Sequence, residues 1–417
     1  MKAVILAAGE SSRFRPLSDN RHKALTEILG KPLIEHTVDE LEDAGVDEII
    51  VVQGPERRIE EELDRGLEYV VQQEPEGMGH ALEQAREDLE GRFLVLTPYR
   101  ARASQFFRPM MDKAEKEDAK TVFVSTPTDE PEKYGVLELD EGGYATDIVE
   151  KPEPGEAPSD MKVVGMYLLS ESFFDYLDEI EKWEYQFEDA LSLQMQDRSA
   201  SVLKIEEETN SIKYPWDLFS VMEELMEGME RDISPDAEIA DTAEIKGDVV
   251  VEEGAKIHEN AVVKGPAYIG KGATVGNNAV VRDHVSLEEN ATVGANSEVK
   301  KAIFQPGSSM HSGFVGDSVI GRESKLGAGT IVANRQFRDD GERPEIRSDL
   351  ISKDYVKETG RDYLGAFIGE NVDIGVNVSL MPGVQVASGA TIGPGTVVRK
   401  NVERDETVYV DQDVVRR

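Results

Sequence analysis

Twelve aliphatic residues recur at an unbroken spacing of six: Ile233, Ile239, Ile245, Val251, Ile257, Val263, Ile269, Val275, Val281, Leu287, Val293 and Val299. Four positions after most of them comes a small residue, among them Ala237, Ala243, Ala255, Ala261, Ala273, Ala279, Ala291 and Ser297, with Gly or Asn gathered between. The spacing returns at Ile320 and Leu326, and from Ile368 through Ile374, Leu380, Val386 and Ile392 to Val398. A helix of 3.6 residues per turn cannot keep a strict period of six. A short fixed period instead marks a solenoid, whose coils bury their apolar rows only by stacking on one another. Three hexads close one triangular coil, which predicts a left-handed parallel β-helix of hexapeptide repeats over residues 231–417. An antiparallel sandwich would alternate at period two with Asn-Gly hairpins, and those signals are sparse here.

Residues 1–230 read differently. Apolar strands (Ala3 to Leu6, Glu48 to Val52, Phe93 to Leu96, Thr121 to Ser125) alternate with amphipathic stretches (Ile34 to Ala44, Ala81 to Leu89). Such alternation predicts an α/β domain, a parallel sheet with helices on both faces. Ligands of such sheets sit beyond the carboxyl ends of strands, so the loop after the first strand is the first candidate site.

Charge narrows the function. With 84 acidic against 46 basic residues the formal net charge is −38, which excludes nucleic-acid binding through phosphate contacts. The acid is spread along the chain, as on a solvated surface, and predicts a halophilic protein whose self-repulsion is screened by salt. No cysteine is present, so disulfides and thiolate chemistry are excluded. No stretch is apolar enough to span a bilayer, and a cytoplasmic location is expected.

The first loop reads Leu6-Ala7-Ala8-Gly9-Glu10-Ser11-Ser12-Arg13-Phe14-Arg15-Pro16-Leu17, followed by Arg21-His22-Lys23-Ala24-Leu25 and Gly30-Lys31-Pro32-Leu33. Small residues let backbone amides approach phosphate, while Arg13 and Lys23 can neutralise it. The run closely resembles the signature of sugar-1-phosphate nucleotidylyltransferases, a Rossmann-like fold. The resemblance implies that Ala8 and Gly9 cradle a nucleoside triphosphate (UTP or dTTP) and that Arg13 and Lys23 assist departure of pyrophosphate. It further implies that Gln72 and Gly77 read the base, that Gly135 (after Tyr134), Glu150 and Lys151 hold a hexose- or hexosamine-1-phosphate, and that Asp217, in Tyr214-Pro215-Trp216-Asp217, binds Mg²⁺.

The pattern breaks where the strand Phe93–Leu96 runs into Thr97-Pro98-Tyr99-Arg100. Relatives carry there a Gly-Asp pair whose carboxylate holds the metal. A phenol, with an ordinary pKa of about 10, is a poor ligand for a hard dication. Loss of a comparable electrostatic group costs on the order of 2.7 to 4 kcal/mol in the transition state. Ser11, His22, Met78 and Val163 depart from the usual glycine, proline, threonine and asparagine. Together these predict a nucleotidylyl site that is weakened, altered in substrate, or kept for binding.

The carboxy-terminal half breaks register twice, at Lys300-Lys301-Ala302 with Gly307 to Asp317, and after Gly327 to Arg335, where a polar insertion (Arg335, Arg338, Arg343, Arg347, Arg361) runs to about Leu364. These stretches resemble the acetyltransferase half of the bifunctional enzymes that acetylate glucosamine-1-phosphate and couple it to UTP, giving UDP-N-acetylglucosamine. The archaeal form carries a similar insertion. By that resemblance His311 is the general base toward the sugar amine as it attacks acetyl-CoA, a task suited to imidazole. Lys300 and Asn334 match residues contacting the sugar phosphate and the sugar or acyl group, whereas Phe314, Lys325 and Arg335 depart from tyrosine, asparagine and tyrosine. The resemblance also implies a homotrimer. The alternative is a non-catalytic subunit that binds a nucleotide sugar and trimerises through the helix.

Overall fold

The computed structural model describes the chain except residues 64, 142–143, 207–208, 338–343, 352–355 and 412–417. Arg338 and Arg343 of the insertion lie outside the described residues. The chain divides into two compact units, Met1–Glu10 with Leu33–Ser211 and Ser11–Pro32 with Ile212–Arg417. A boundary at residue 230 was expected from the change of pattern. In the structure Ser11–Pro32 and Ile212–Glu230 join the coil instead, a grouping set by contacts between residues hundreds of positions apart.

The first unit is built on a sheet. Its strands are β1 (Lys2–Ala7), β2 (Glu48–Gln53), β3 (Glu68–Val71), β4 (Arg92–Leu96), β5 (Thr121–Pro127), β6 (Gly135–Leu139), β7 (Ala145–Glu150), β8 (Met161–Ser170) and β9 (Ala200–Lys204). Their order is β9-β5-β8-β4-β1-β2-β3. β1 runs parallel to β2 and β4, buried on both sides by Ala3, Val4 and Ile5. A continuous apolar run of this kind is what a central parallel strand requires. The sheet is nevertheless mixed, which corrects the all-parallel expectation. β8 pairs antiparallel with both β4 and β5, because the β6–β7 hairpin intervenes between β5 and β8. The expected helix at Ile34–Ala44 is α1 (Leu33–Asp43), whose Leu33, Ile34, Val38 and Leu41 are buried at helical spacing. The stretch Ala81–Leu89 is a short helix, Met78–Glu83, followed by a 3-10 turn at Arg86–Asp88.

The second unit is a parallel β-helix. Asp232 pairs with Val250, Val250 with Tyr268 and Glu238 with Lys256, one coil every eighteen residues. All pairings between coil strands are parallel. The aliphatic rows predicted from the hexads form one continuous core from Val249 to Val402, with Ile257, Val275, Val293, Leu326, Ile374 and Ile392 nearly inaccessible. Each such side chain contributes about 1.5–3 kcal/mol on leaving water. At one corner Asn260, Asn278, Asn296 and Asn377 adopt φ between 54° and 60°, alternating further on with Gly329 and Gly395. Left-handed backbone is tolerated best by Gly and Asn, which explains their recurrence in the hexads. Where the insertion leaves the coil, the stacking jumps from Leu326 to Ile374 and from Val332 to Leu380 without losing alignment. Among the described residues no helix is long and apolar enough to cross a membrane.

Candidate functional site

In the sheet unit, Ala8 and Gly9 lie at the carboxyl end of β1. A Cβ added to Gly9 would meet nothing within 4 Å, so the backbone there faces open space into which a phosphate could come. Gln72, at the end of β3, is buried and donates from Nε2 to the Gly77 carbonyl at 3.1 Å, with His80 Nδ1 at 3.2 Å. Gly77 has φ +102°, and a Cβ there would collide with the Glu184 carbonyl. Both base-reading candidates are therefore brought together against the segment that begins at Glu184.

That segment also reaches the sugar candidates. Gly135 and Glu150 are register partners in the β6–β7 hairpin, and the Glu150 carboxylate lies where a Cβ on Gly135 would be. Lys151, at φ +47°, directs Nζ to the Tyr185 hydroxyl at 3.2 Å and over its ring at 5.4 Å. The sequence reading missed Glu188, three residues on. Burial, then the nearby Glu150 charge, pushes its carboxyl up to about 7, and its Oε2 has no hydrogen-bond partner. Its only signal was a carboxylate on the inward side of an amphipathic helix, Gln186–Gln196.

Beyond β4, Tyr99, in the position where a carboxylate was expected, is half-buried, and Arg100 follows it. The Arg100 guanidinium sits 5.7 Å from the Tyr99 ring centroid and donates to Thr97 Oγ1 at 3.1 Å and the Asn210 carbonyl at 2.9 Å. A Cβ on Gly165 would touch it at 2.9 Å, so the glycine makes room for this cation.

In the coil unit, Arg13 is exposed on a 3-10 turn that Ser11 enters at φ +55°. Lys23 donates to the Ile212 carbonyl at 2.7 Å, and Glu27–Pro32 forms a small hairpin held by the coil. Glu288 accepts from the amides of Gly30 at 2.7 Å and Leu29 at 3.1 Å, Gln305 exchanges two hydrogen bonds with the Glu27 backbone, and Arg322 pairs with the Glu27 carboxylate. Asp217 Oδ2 accepts the amides of Lys213 and Tyr214, each at 2.7 Å. Burial raises its carboxyl above the usual range, opposed by those amides and by Arg361 and Lys213. Among the described residues no group of three His, Asp or Glu side chains forms a metal cage. The donor set fits a Mg²⁺ carried mainly by substrate phosphates and held by one protein carboxylate, a mode common for this ion.

His311 stands on a column of its own kind. Gly276, Gly294, His311, Gly327, Gly375 and Gly393 stack through a ladder of backbone bonds, Gly294 N to Met310 O, His311 N to Leu326 O and Gly327 N to Ile374 O, each 2.8 Å. The same ladder continues from Gly276 to His258, whose amide donates to the Val275 carbonyl at 2.9 Å, so two imidazoles stand on this column; His311 is the exposed one, with a glycine on either side of it. Lys300 and Asn334 meet elsewhere on the coil. Asn334 Nδ2 donates to Asp317 Oδ2 at 2.6 Å, and Lys300 Nζ lies 3.6 Å from the same oxygen. Gly316, paired with Lys300, permits this, since a Cβ would sit 2.7 Å from Asn334 Nδ2. Asp317 was not picked out from sequence, though a Gly-Asp pair at a register break was its signal; it is 3% exposed.

Comparison with known proteins bears on both units. A nucleotidyl transferase family model matches residues 2–216, and a bacterial transferase hexapeptide model of six repeats matches 266–301 and 365–400. A "Bifunctional protein GlmU" of Methanococcus maripaludis is 34% identical, covering 100% of this chain and 98% of the relative. A "Bifunctional sugar-1-phosphate nucleotidylyltransferase/acetyltransferase" of Sulfurisphaera tokodaii is 33% identical over 96% of this chain and 98% of its own. A "UTP--glucose-1-phosphate uridylyltransferase AglF" of Haloferax volcanii is 28% identical and matches 54% of the chain.

Proposed function

Because the chain belongs to the bifunctional sugar-1-phosphate nucleotidylyltransferase/acetyltransferases, enzymes of nucleotide-sugar biosynthesis, we propose which residues carry each half-reaction. Enzymes of this type use Mg²⁺ in the first activity and acetyl-CoA in the second.

The observation that carries the acetyl-transfer reading is the exposed His311, set between Gly294 and Gly327 on its column at the register break that resembles the acetyltransferases. The acceptor is an amino-sugar-1-phosphate, glucosamine-1-phosphate by the naming of the relatives. Its amine attacks the thioester carbonyl of acetyl-CoA; the N–C bond forms, the C–S bond breaks, the amine proton passes to the imidazole and the thiolate leaves to be protonated as free coenzyme A. General-base catalysis of this kind is worth about a hundredfold to ten-thousandfold. Lys300 and Asn334, aligned by Asp317, take the sugar phosphate and the sugar or acyl group.

In nucleotidylyl transfer a sugar-1-phosphate oxygen attacks the α-phosphorus of UTP or dTTP and pyrophosphate departs. Ala8 and Gly9 offer amides to the triphosphate, Gln72 and Gly77 hold the base, and Gly135, Glu150 and Lys151 hold the sugar phosphate. Arg13 and Lys23 neutralise the charge that builds on pyrophosphate. Asp217 would hold Mg²⁺ alongside the substrate phosphates, where the ion would supply further neutralisation of their charge. With Tyr99 where a carboxylate is usual, this half is weakened, altered in substrate, or kept for binding. A trimer is expected from the family resemblance; on one outward row, Val262, Val280, Glu298, Phe314, Ile331, Ser379 and Val397, the apolar Ile331 and Val397 are 41% and 51% exposed. A cytoplasmic location fits the supply of UTP and acetyl-CoA.

The test is a paired assay: acetyl-CoA consumption with glucosamine-1-phosphate by wild type and His311→Ala, and pyrophosphate release from UTP or dTTP with a hexose-1-phosphate and Mg²⁺. Acetyl transfer that survives His311→Ala refutes the base assignment. Rapid pyrophosphate release by the wild type refutes the reading of Tyr99.

A further inference from the structure

The two ends of the insertion are fastened to each other over the Gly316-Asp317 corner. The Leu364 amide donates to the Asn334 carbonyl at 3.0 Å, and the Gly365 amide to the Asp317 carbonyl at 2.7 Å. This brings Tyr363, on the returning end, beside Arg335, on the departing end. The Tyr363 ring centroid lies 4.6 Å from Lys300 Nζ and 5.0 Å from Arg335 Cζ. Two cations thus share one aromatic ring.

They differ in what balances them. Lys300 has Asp317, which is almost inaccessible. Arg335 is exposed and, among the described residues, has no carboxylate within 4 Å. A net positive charge is therefore held at the mouth of the corner in a chain whose formal charge is −38. A guanidinium resting on an aromatic face loses rotational freedom yet keeps the N–H fork at its edge, the part that matches a phosphate bidentately. An ammonium cannot do this, which is why an arginine is informative at this position.

We propose that Arg335 binds the phosphate monoester of the acetyl acceptor together with Lys300, and that Tyr363 is a positioning residue that holds both cations for it. The described ends of the insertion, at Arg335 and Tyr363, are then part of the acceptor site. This rests on the acetyl-transfer reading above, and Arg335 supplies a contact that glucosamine lacking the phosphate cannot use.

The test measures acetyl transfer onto glucosamine-1-phosphate and onto glucosamine by wild type, Arg335→Ala, Tyr363→Ala and Tyr363→Phe, alongside calorimetric binding of glucosamine-1-phosphate. Arg335→Ala should raise the KM for glucosamine-1-phosphate roughly 10- to 100-fold, the usual scale for a hydrogen bond to a charged group, with kcat little changed and the KM for glucosamine unaltered. Tyr363→Ala should move KM in the same direction, and Tyr363→Phe, which keeps the ring, should restore it. An equal loss on both acceptors, an unchanged KM in Arg335→Ala, or a Tyr363→Phe as damaging as Tyr363→Ala would overturn the proposal. If the wild type consumes no acetyl-CoA while its binding of glucosamine-1-phosphate depends on Arg335, the acetyl-transfer reading falls and the phosphate site stands.

Discussion

Replacing Glu288 by Gln should change the pH dependence of stability in a way no surface carboxylate could. Glu288 is fully buried and takes three hydrogen bonds, from the amides of Leu29 and Gly30 and from the Ser286 hydroxyl. Burial, reinforced by the charge of Glu27, pushes its carboxyl from 4.5 up to about 7 against those bonds. The folded chain thus keeps a proton that the unfolded chain releases, and the stability this contributes is complete below pH 4.5 and lost as pH rises through about 7. A raised pKa of this size corresponds to about 3 kcal/mol, of which about 2 kcal/mol is lost between pH 5.5 and 8.5. Gln does not titrate, and its amide sets a donor against a backbone N–H. Wild type should therefore be the more stable at pH 5.5, with the gap closing by about 2 kcal/mol at pH 8.5. Subtracting the two curves removes every other carboxylate they share. Urea unfolding in a Trp183→Phe background reads the coil unit through Trp216, which is buried 6.0 Å from Phe367. A gap that stays constant across that pH range would refute the assignment of a buried, proton-holding Glu288.

Ser11→Gly should stabilise the chain by about 1 kcal/mol in urea melts, because a non-glycine residue at φ +55° carries left-handed strain of that order; a destabilised variant would show that the serine side chain holds the turn. Gly30→Ala should cost more than the backbone strain of about 1 kcal/mol alone, since the added methyl would strike the Tyr268 hydroxyl at a residue whose φ is +78°; thermal melts equal to wild type would contradict the docked hairpin. Asp317→Asn should lower stability by about 1–3 kcal/mol, the cost of leaving Lys300 without its partner, and should lower acetyl transfer onto glucosamine-1-phosphate. Molar KCl should raise the melting temperature by screening the net charge of −38, and an unchanged melt would remove the halophilic reading.

The hexads were legible because a period of six leaves a stacked row no alternative interior, and Ile257, Val275, Val293, Ile374 and Ile392 all lie in it. The strands β1, β2, β4 and β5 were legible for a similar reason, as short apolar runs buried from both sides. The direction of β8 was not, because hydrophobic content is the same for a parallel and an antiparallel central strand. Pairings such as Gln72 with Gly77 and Gly135 with Glu150 came from motif resemblance, and the structure adds the contacts that join them. Asp317 and Tyr363 escaped notice because each acts through a partner distant in sequence, Lys300 for both.

The membership of Ser11–Pro32 in the coil unit has a consequence for how the chain can be cut. Leu25 and Ile28 are buried, Leu25 in a niche shared with Gln305, Gly321 and Arg322, and Asp19 accepts the Ser388 amide at 2.9 Å. Asn20 joins Glu370 and Arg404 in the same way. A fragment ending at residue 230 would hand the Leu29 and Gly30 amides, the Glu27 carboxylate and Asp19 to water in place of these partners, at about 0.5–1.5 kcal/mol for each hydrogen bond lost, and would expose Leu25 and Ile28. The segment that carries Arg13 and Lys23 would then lose the side chains that fix it, although every residue matched by the nucleotidyl transferase model remains in the fragment. In this chain the coil thus fixes the segment that carries Arg13 and Lys23, and a fragment ending at residue 230 that keeps this segment ordered, by resistance to proteolysis, would refute that dependence.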